Sequence, residues 1–100
     1  MAKLLVFEFP FPGPWGGEMA EALQGLAADI AAEPALVWKV WTEAPERGVA
    51  GGVYMFSTAE AAADYVARHT ARLNAFGITG IDLRQFDVNP VLSAVTRASL

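Results

Sequence analysis

The chain of 100 residues has no cysteine and a single histidine. The first absence removes disulfides, thiolate metal ligands and a cysteine nucleophile. The second, with carboxylates that are not spaced like a calcium loop, leaves no donor set for a common metal site, so no metal is expected. Charge is also scarce, at 18% with a net value of −4, against about 25% charged residues in ordinary soluble domains. Lys and Arg stand singly, whereas a nucleic-acid partner calls for clustered basic residues. Long hydrophobic runs are missing too: the apolar stretch from Met1 to Phe7 is interrupted at Glu8, too short for a membrane span or a signal-peptide core. The chain reads as cytoplasmic, with neither nucleic acid nor membrane as partner. No phosphate loop or Gly-x-Gly-x-x-Gly follows a strand, because Gly13, Gly16 and Gly17 sit among prolines without the motif's spacing. No tightly bound flavin, nicotinamide or other cofactor is expected.

What is abundant is apolar surface, 54% of the residues. Residues 1–100 can form one domain with one core, and at this length folding buries roughly two-thirds of the unfolded surface. The surplus calls for a homo-oligomer interface. Leu4 to Phe9 reads as a strand closed by Pro10, Pro12 and Pro14. From Glu18 the period becomes helical, with Met19, Leu23, Leu26 and Ile30 on one face, and Pro34 fixes the end. Leu36 to Glu43 and Gly51 to Phe56 are strands rich in β-formers, joined by the turn residues Ala44 to Gly48. Ser57 and Glu60 have capping-box spacing for a second helix that runs to about Phe76 and stops at Gly77. Ile81 to Val88 is a fourth strand, and Asn89-Pro90 suits the start of a short helix or arm through Val91, Leu92 and Val95. The order is β-α-β-β-α-β, a ferredoxin-like α+β arrangement with a four-stranded antiparallel sheet. Helices cover one face of such a sheet. The other cannot be left to water here, because Leu4 to Phe7 and Gly52 to Phe56 are apolar at both parities. Two sheets packed face to face, a dimeric α+β barrel, would bury it.

The candidate chemistry gathers on the middle strands and the second helix. His69 falls in the series Ala62, Val66, His69, Leu73, Phe76, the helix's buried face. It is either a core histidine with one ring nitrogen hydrogen-bonded or a pocket residue that moves protons. Trp38 and Trp41 point to opposite faces of their strand, their separation being odd. Parity alone does not say which meets the helices. Tyr54, on the adjacent strand, is a candidate pocket hydrogen-bonding group, since a buried phenol needs a partner. Lys39 and Glu43 share the face of Trp41; they form either a simple ion pair or, for Glu43, a general base beside an aromatic substrate. Arg72, one turn beyond His69, is better placed to reach inward than Arg68. Trp15 and Phe56, with the two strand tryptophans, are the candidate aromatic walls.

The segments Leu36 to Glu43, Gly51 to Phe56, His69 to Leu73 and Phe86 to Asn89 resemble the YdhR-type monooxygenases of the dimeric α+β barrel superfamily, over nearly the whole chain. That resemblance implies a homodimer and a cofactor-independent monooxygenase acting on a small aromatic compound, a phenol or quinol. His69, Tyr54, Glu43 and Arg72 would then do the proton and anion work, and Trp38, Trp41, Trp15 and Phe56 would hold the ring. The alternatives are a non-catalytic protein that binds a small aromatic ligand, or an isomerase or lyase of the same superfamily. Haem degradation, also found in the superfamily, needs a strand asparagine where this chain offers only Leu4, Leu5, Val6 and Phe7.

Overall fold

A computed structural model describes all residues, Met1–Leu100. The strands are β1 (Lys3–Pro10), β2 (Leu36–Ala44), β3 (Val49–Phe56) and β4 (Asp82–Asp87), and the helices are α1 (Gly16–Ala22), α2 (Gln24–Ala31), α3 (Ala59–Ala75) and α4 (Pro90–Val95). The sheet has the order β2-β3-β1-β4 with every pair antiparallel. This is the ferredoxin-like arrangement expected from the sequence. No helix is long and apolar enough to cross a membrane.

Three local expectations need correction. The first helical segment is two helices, because the backbone leaves helical geometry at Leu23 (φ −105°, ψ 13°). The Gln24 side chain donates to the Ala20 carbonyl at 3.1 Å, occupying an acceptor at the break. The cap of α3 is Thr58, whose hydroxyl accepts from the Ala61 N–H at 3.2 Å, rather than Ser57. Ser57 is held to the preceding segment by its own N–H, which donates to the Ala35 carbonyl at 2.9 Å. The cap therefore falls one residue later, and Glu60 no longer stands in the capping-box position. The third correction concerns the face away from the helices. It is not wholly bare, because the C-terminal segment crosses it from the β4 edge and the Trp38 indole N–H donates to the Ser99 carbonyl at 2.8 Å.

Elsewhere the local rules hold. α3 ends at Gly77 (φ 82°) with the N–H groups of Gly77 and Ile78 donating to Asn74 and Leu73, the double bond of a Schellman cap. Asn89 caps α4 through the Leu92 N–H at 3.1 Å, with Pro90 in the first turn.

The register divides the strands into two sets. Leu5, Phe7 and Phe9 of β1 share a face with Ala50, Gly52, Tyr54 and Phe56 of β3 and with Lys39, Trp41 and Glu43 of β2. This face meets the helices, and the core of Leu5, Phe7, Ile30, Tyr54, Phe56, Ala62, Tyr65 and Leu73 lies there. The opposite face carries Leu4, Val6, Trp38, Val40, Val53, Met55 and Phe86. Val40 and Phe86 remain half exposed, and Val91, Leu92 and Val95 of α4 are largely exposed, at 72%, 66% and 77%.

β1 and β3 approach so closely at Gly51 that a Cβ there would lie 1.8 Å from the Phe7 carbonyl oxygen. Only a residue without a side chain fits between two backbones at that spacing. Gly51→Ala should lower Tm by about 10 °C or more, the equivalent of a loss of about 2 kcal/mol in a domain of this size. Gly17→Ala, where nothing lies within 4 Å, should leave Tm unchanged or raise it. Thermal unfolding followed by circular dichroism checks both, and a Gly51→Ala protein as stable as the parent would refute the close approach.

Candidate functional site

A cavity of about 330 Å³ lies between the helix-facing side of the sheet and the helices. Its apolar wall comes from Phe9, Met19, Leu23, Leu26, Phe76 and Ile78, while Ala22 and Gly25 add little bulk. Split helices rich in small residues are what leave this space open. The polar groups of the wall are Lys39, Tyr54 and His69, and Trp41 supplies an aromatic face. A groove of about 310 Å³ shares Met19, Leu23 and Trp41 with the cavity and runs outward to Gly16 and Glu43.

His69 is 2% exposed, so its ring must find partners within the protein. Arg72, one turn on, donates to Nδ1 from Nε at 3.3 Å and from Nη2 at 3.0 Å. A guanidinium has only donors, so Nδ1 accepts and the ring proton sits on Nε2. Nε2–H then donates to the Tyr54 hydroxyl oxygen at 3.2 Å. The ring stacks on Tyr65 (4.9 Å between centroids, 20° between planes) and meets Phe7 edge-on at 5.3 Å. Burial, then the Arg72 guanidinium and the Lys39 ammonium, lower the His69 pKa to about 3. The imidazole is therefore neutral at physiological pH and holds Tyr54 in place. Burial pushes the Tyr54 hydroxyl well above the usual phenol range, and does the same to Tyr65. The Tyr65 hydroxyl, buried against the same cluster, has no hydrogen-bond partner.

Lys39 does not pair with Glu43. Its Nζ lies 3.2 Å from the centroid of the Trp41 ring and 4.6 Å from that of Tyr54, a cation–π arrangement. Gly52 makes this possible, since a Cβ there would come within 2.6 Å of Lys39 Cε and 3.3 Å of Tyr54 Cε1. Burial first, and then Arg72, lower the Lys39 pKa to about 7. The sequence placed Lys39 on the right face but offered no sign that it would stay unpaired in the cavity.

The other candidates separate. Glu43 accepts from the Gly16 N–H at 3.0 and 3.3 Å, at the start of α1 and the outer end of the groove. This is a helix-terminus contact, where a carboxylate is favoured. Trp38 faces away from the cavity, toward Ser99. Trp15 packs edge-on against Phe11 at 5.5 Å, and Phe56 is fully buried beneath α3 against Tyr65. Arg68 forms a two-pronged pair with Glu33 outside the cavity. The structure thus brings together His69, Tyr54, Arg72 and Trp41, and does not bring Glu43, Trp38, Trp15 or Phe56 to them. No three His, Asp or Glu side chains are grouped as metal ligands.

Residues 4–99 match the model of the family described as "Putative mono-oxygenase ydhR". Among solved structures, SnoaB from Streptomyces nogalater, described as a cofactor-independent oxygenase, superposes with a TM-score of 0.62 at 15% identity, covering 88% of this chain and 93% of SnoaB. A protein from Deinococcus radiodurans described as a "putative antibiotic biosynthesis monooxygenase" gives 0.56 at 14% identity, with 89% and 93% of the two chains covered. A protein of unknown function from Nitrosomonas europaea gives 0.56 at 16% identity, over 88% and 90%. At these identities the likeness is one of fold. No curated protein matches the sequence significantly.

Because the folded His69 resists protonation down to about pH 3 while an ordinary imidazole takes its proton near 6.5, the unfolded chain binds more protons between those values. This stability is complete above pH 6.5 and is lost as pH falls, by at most about 1.4 kcal/mol per pH unit. Urea unfolding should show a loss of about 2 kcal/mol between pH 6.5 and 5, above the range where carboxylates dominate. His69→Phe should flatten that segment, whereas a parent protein equally stable at both pH values would contradict the burial of a neutral ring.

Proposed function

We propose, for a chain that belongs to the ydhR mono-oxygenase family, that it is a cofactor-independent monooxygenase oxidising a small electron-rich phenol or quinol held in this cavity. The observation that carries the reading is an apolar cavity of about 330 Å³ whose polar wall groups stand together, with His69 and Tyr54 joined in a hydrogen-bonded chain that starts at Arg72. Its volume lies at the small end of the range for ligand pockets, and an apolar lining with a few convergent polar groups is their usual make-up. The oxygenase chemistry of SnoaB supports the reading by kinship of fold. So does a sequence with no nucleotide-binding motif.

The reaction balances without an external reductant. A phenol with a free para C–H reacts with one molecule of oxygen to give a para-quinone and water, and the phenol supplies all the electrons. The phenol enters as its anion, its proton released to solvent, and the anion passes one electron to oxygen. The radical pair then closes a carbon–oxygen bond at the para carbon. The resulting peroxide anion takes up a proton to become the hydroperoxide, which loses its C–H proton as the O–O bond breaks, and the departing hydroxide takes that proton to leave as water. The cavity excludes water from the anion and orients the ring beside Trp41. Tyr54 offers its O–H to the substrate oxygen because His69 Nε2–H already donates to the phenolic oxygen of Tyr54. His69 is a positioning residue in this scheme, and Arg72 fixes its tautomer.

We also propose that two copies pair through the sheet face opposite the helices. Half-exposed Val40 and Phe86 lie on that face, and exposed Val91, Leu92 and Val95 follow it on α4, a patch of the kind that marks an interface. The cytoplasm is the compartment this reading assigns.

Oxygen-electrode traces over a panel of phenols and hydroquinones, with chelator present and no flavin, nicotinamide or metal added, should show uptake that Tyr54→Phe or His69→Ala slows by about 10²-fold or more. Micromolar binding with quenched tryptophan fluorescence but no uptake would replace the reading with that of a small-aromatic binding protein. Sedimentation at micromolar concentration should give a dimer burying roughly 2,000 Å² or more, and a stable folded monomer would reject the pairing.

A further inference from the structure

The polar end of the cavity is cationic and has no anion of its own. Lys39 Nζ makes no hydrogen bond or ion pair and rests against the Trp41 and Tyr54 rings. Arg72, from α3, brings a second positive charge to the same cluster through His69. Each carboxylate that could answer them is engaged elsewhere or lies outside. Glu33 is paired with Arg68, and Glu43 accepts from Gly16 at the far end of the groove. The remaining titratable groups facing Lys39, namely Tyr54 and His69, are neutral at physiological pH for the reasons given above.

Lys39 is half-buried, and an ammonium largely withdrawn from water without a counter-ion is costly. Face-on contact with two aromatic rings recovers only part of that cost. A ligand that brought a negative oxygen into the cavity would recover more, since opposite charges in a dry site interact far more strongly than in water. Gly52 has the complementary role, for the space its missing side chain leaves is what lets Lys39 lie across the strand into the cavity rather than out to solvent.

We propose that the cavity selects aromatic anions, phenolates in particular, and that Lys39 Nζ is the group that pairs with the anionic oxygen. This assignment rests on the oxygenase reading for the identity of the ligand but not for its charge. It gives Lys39 two connected effects: it tightens binding of the ionised ring and favours the deprotonated form that reacts with oxygen. A neutral aromatic of the same size would fit the walls and leave the ammonium unanswered.

The probe is 4-nitrophenol, whose ionisation near neutral pH is visible as yellow absorbance. Titrated with excess protein, the bound compound should ionise about one pH unit lower than it does free, a tenfold preference for the phenolate. Lys39→Met and the nearly isosteric Lys39→Gln should abolish that shift while unfolding at temperatures close to the parent's. A measurement that needs no variant is the comparison with 4-nitroanisole, the neutral methyl ether. At pH 7, where phenolate and the Lys39 ammonium are both present, the parent protein should bind nitrophenol several-fold more tightly than the ether, and equally at a pH where the phenol is protonated. An unshifted ionisation in the parent, a shift that survives in both variants, or equal affinity for phenolate and ether would each overturn the assignment. A flat oxygen electrode with the nitrophenolate shift intact would overturn the oxygenase reading alone.

Discussion

An arginine side chain cannot accept a hydrogen bond, and the arrangement of the site depends on that constraint. Because Arg72 donates to His69 Nδ1, the imidazole proton is confined to Nε2 and directed at the Tyr54 oxygen. The ring cannot then act as a base toward the cavity, since its free lone pair is already taken. It becomes a spacer of fixed polarity between a permanent cation and a phenol. The same guanidinium also adds to the burial that holds His69 and Lys39 in their lowered ranges. Burial sets the protonation of the wall, and one charge placed one turn beyond the histidine reinforces it at His69 and Lys39.

The sheet supports this arrangement through what it omits. At Gly51 the absent side chain lets β1 and β3 close on each other, and at Gly52 it lets Lys39 cross the strand. The helices contribute by their small residues, with Ala22 and Gly25 beside the cavity rather than larger side chains that would fill it. A more tightly packed domain would be more stable and have no site. The free volume, the neutral buried histidine and the unpaired lysine all cost stability, and their occurrence together is what marks a place made for a ligand.

Much of this was legible in the sequence because it depends on period. The β-α-β-β-α-β order, the opposite faces of Trp38 and Trp41, the shared face of Lys39 and Trp41, and the inward face of His69 follow from strand and helix repeats of known length. The parts that were not legible depend on contacts between distant segments. Whether Lys39 would meet Glu43 or the rings was decided by Gly52 on the next strand and by the N-terminus of α1, which claims Glu43. The cap of α3 moved from Ser57 to Thr58 because the Ser57 N–H was taken by Ala35. Trp38 was drawn to the far face's C-terminal segment by a bond to Ser99, 61 residues away. Aromatic side chains announce burial from sequence, but they do not announce which side of the sheet will bury them.

The neutral, Arg72-locked tautomer of His69 is the claim on which the rest stands, and nitrogen-15 NMR of the single histidine reads it directly. The account predicts a protonated Nε2, an unprotonated Nδ1, and shifts that do not move between pH 8 and pH 5. A ring that titrates near its ordinary value of 6.5, or one that carries its proton on Nδ1, would contradict it.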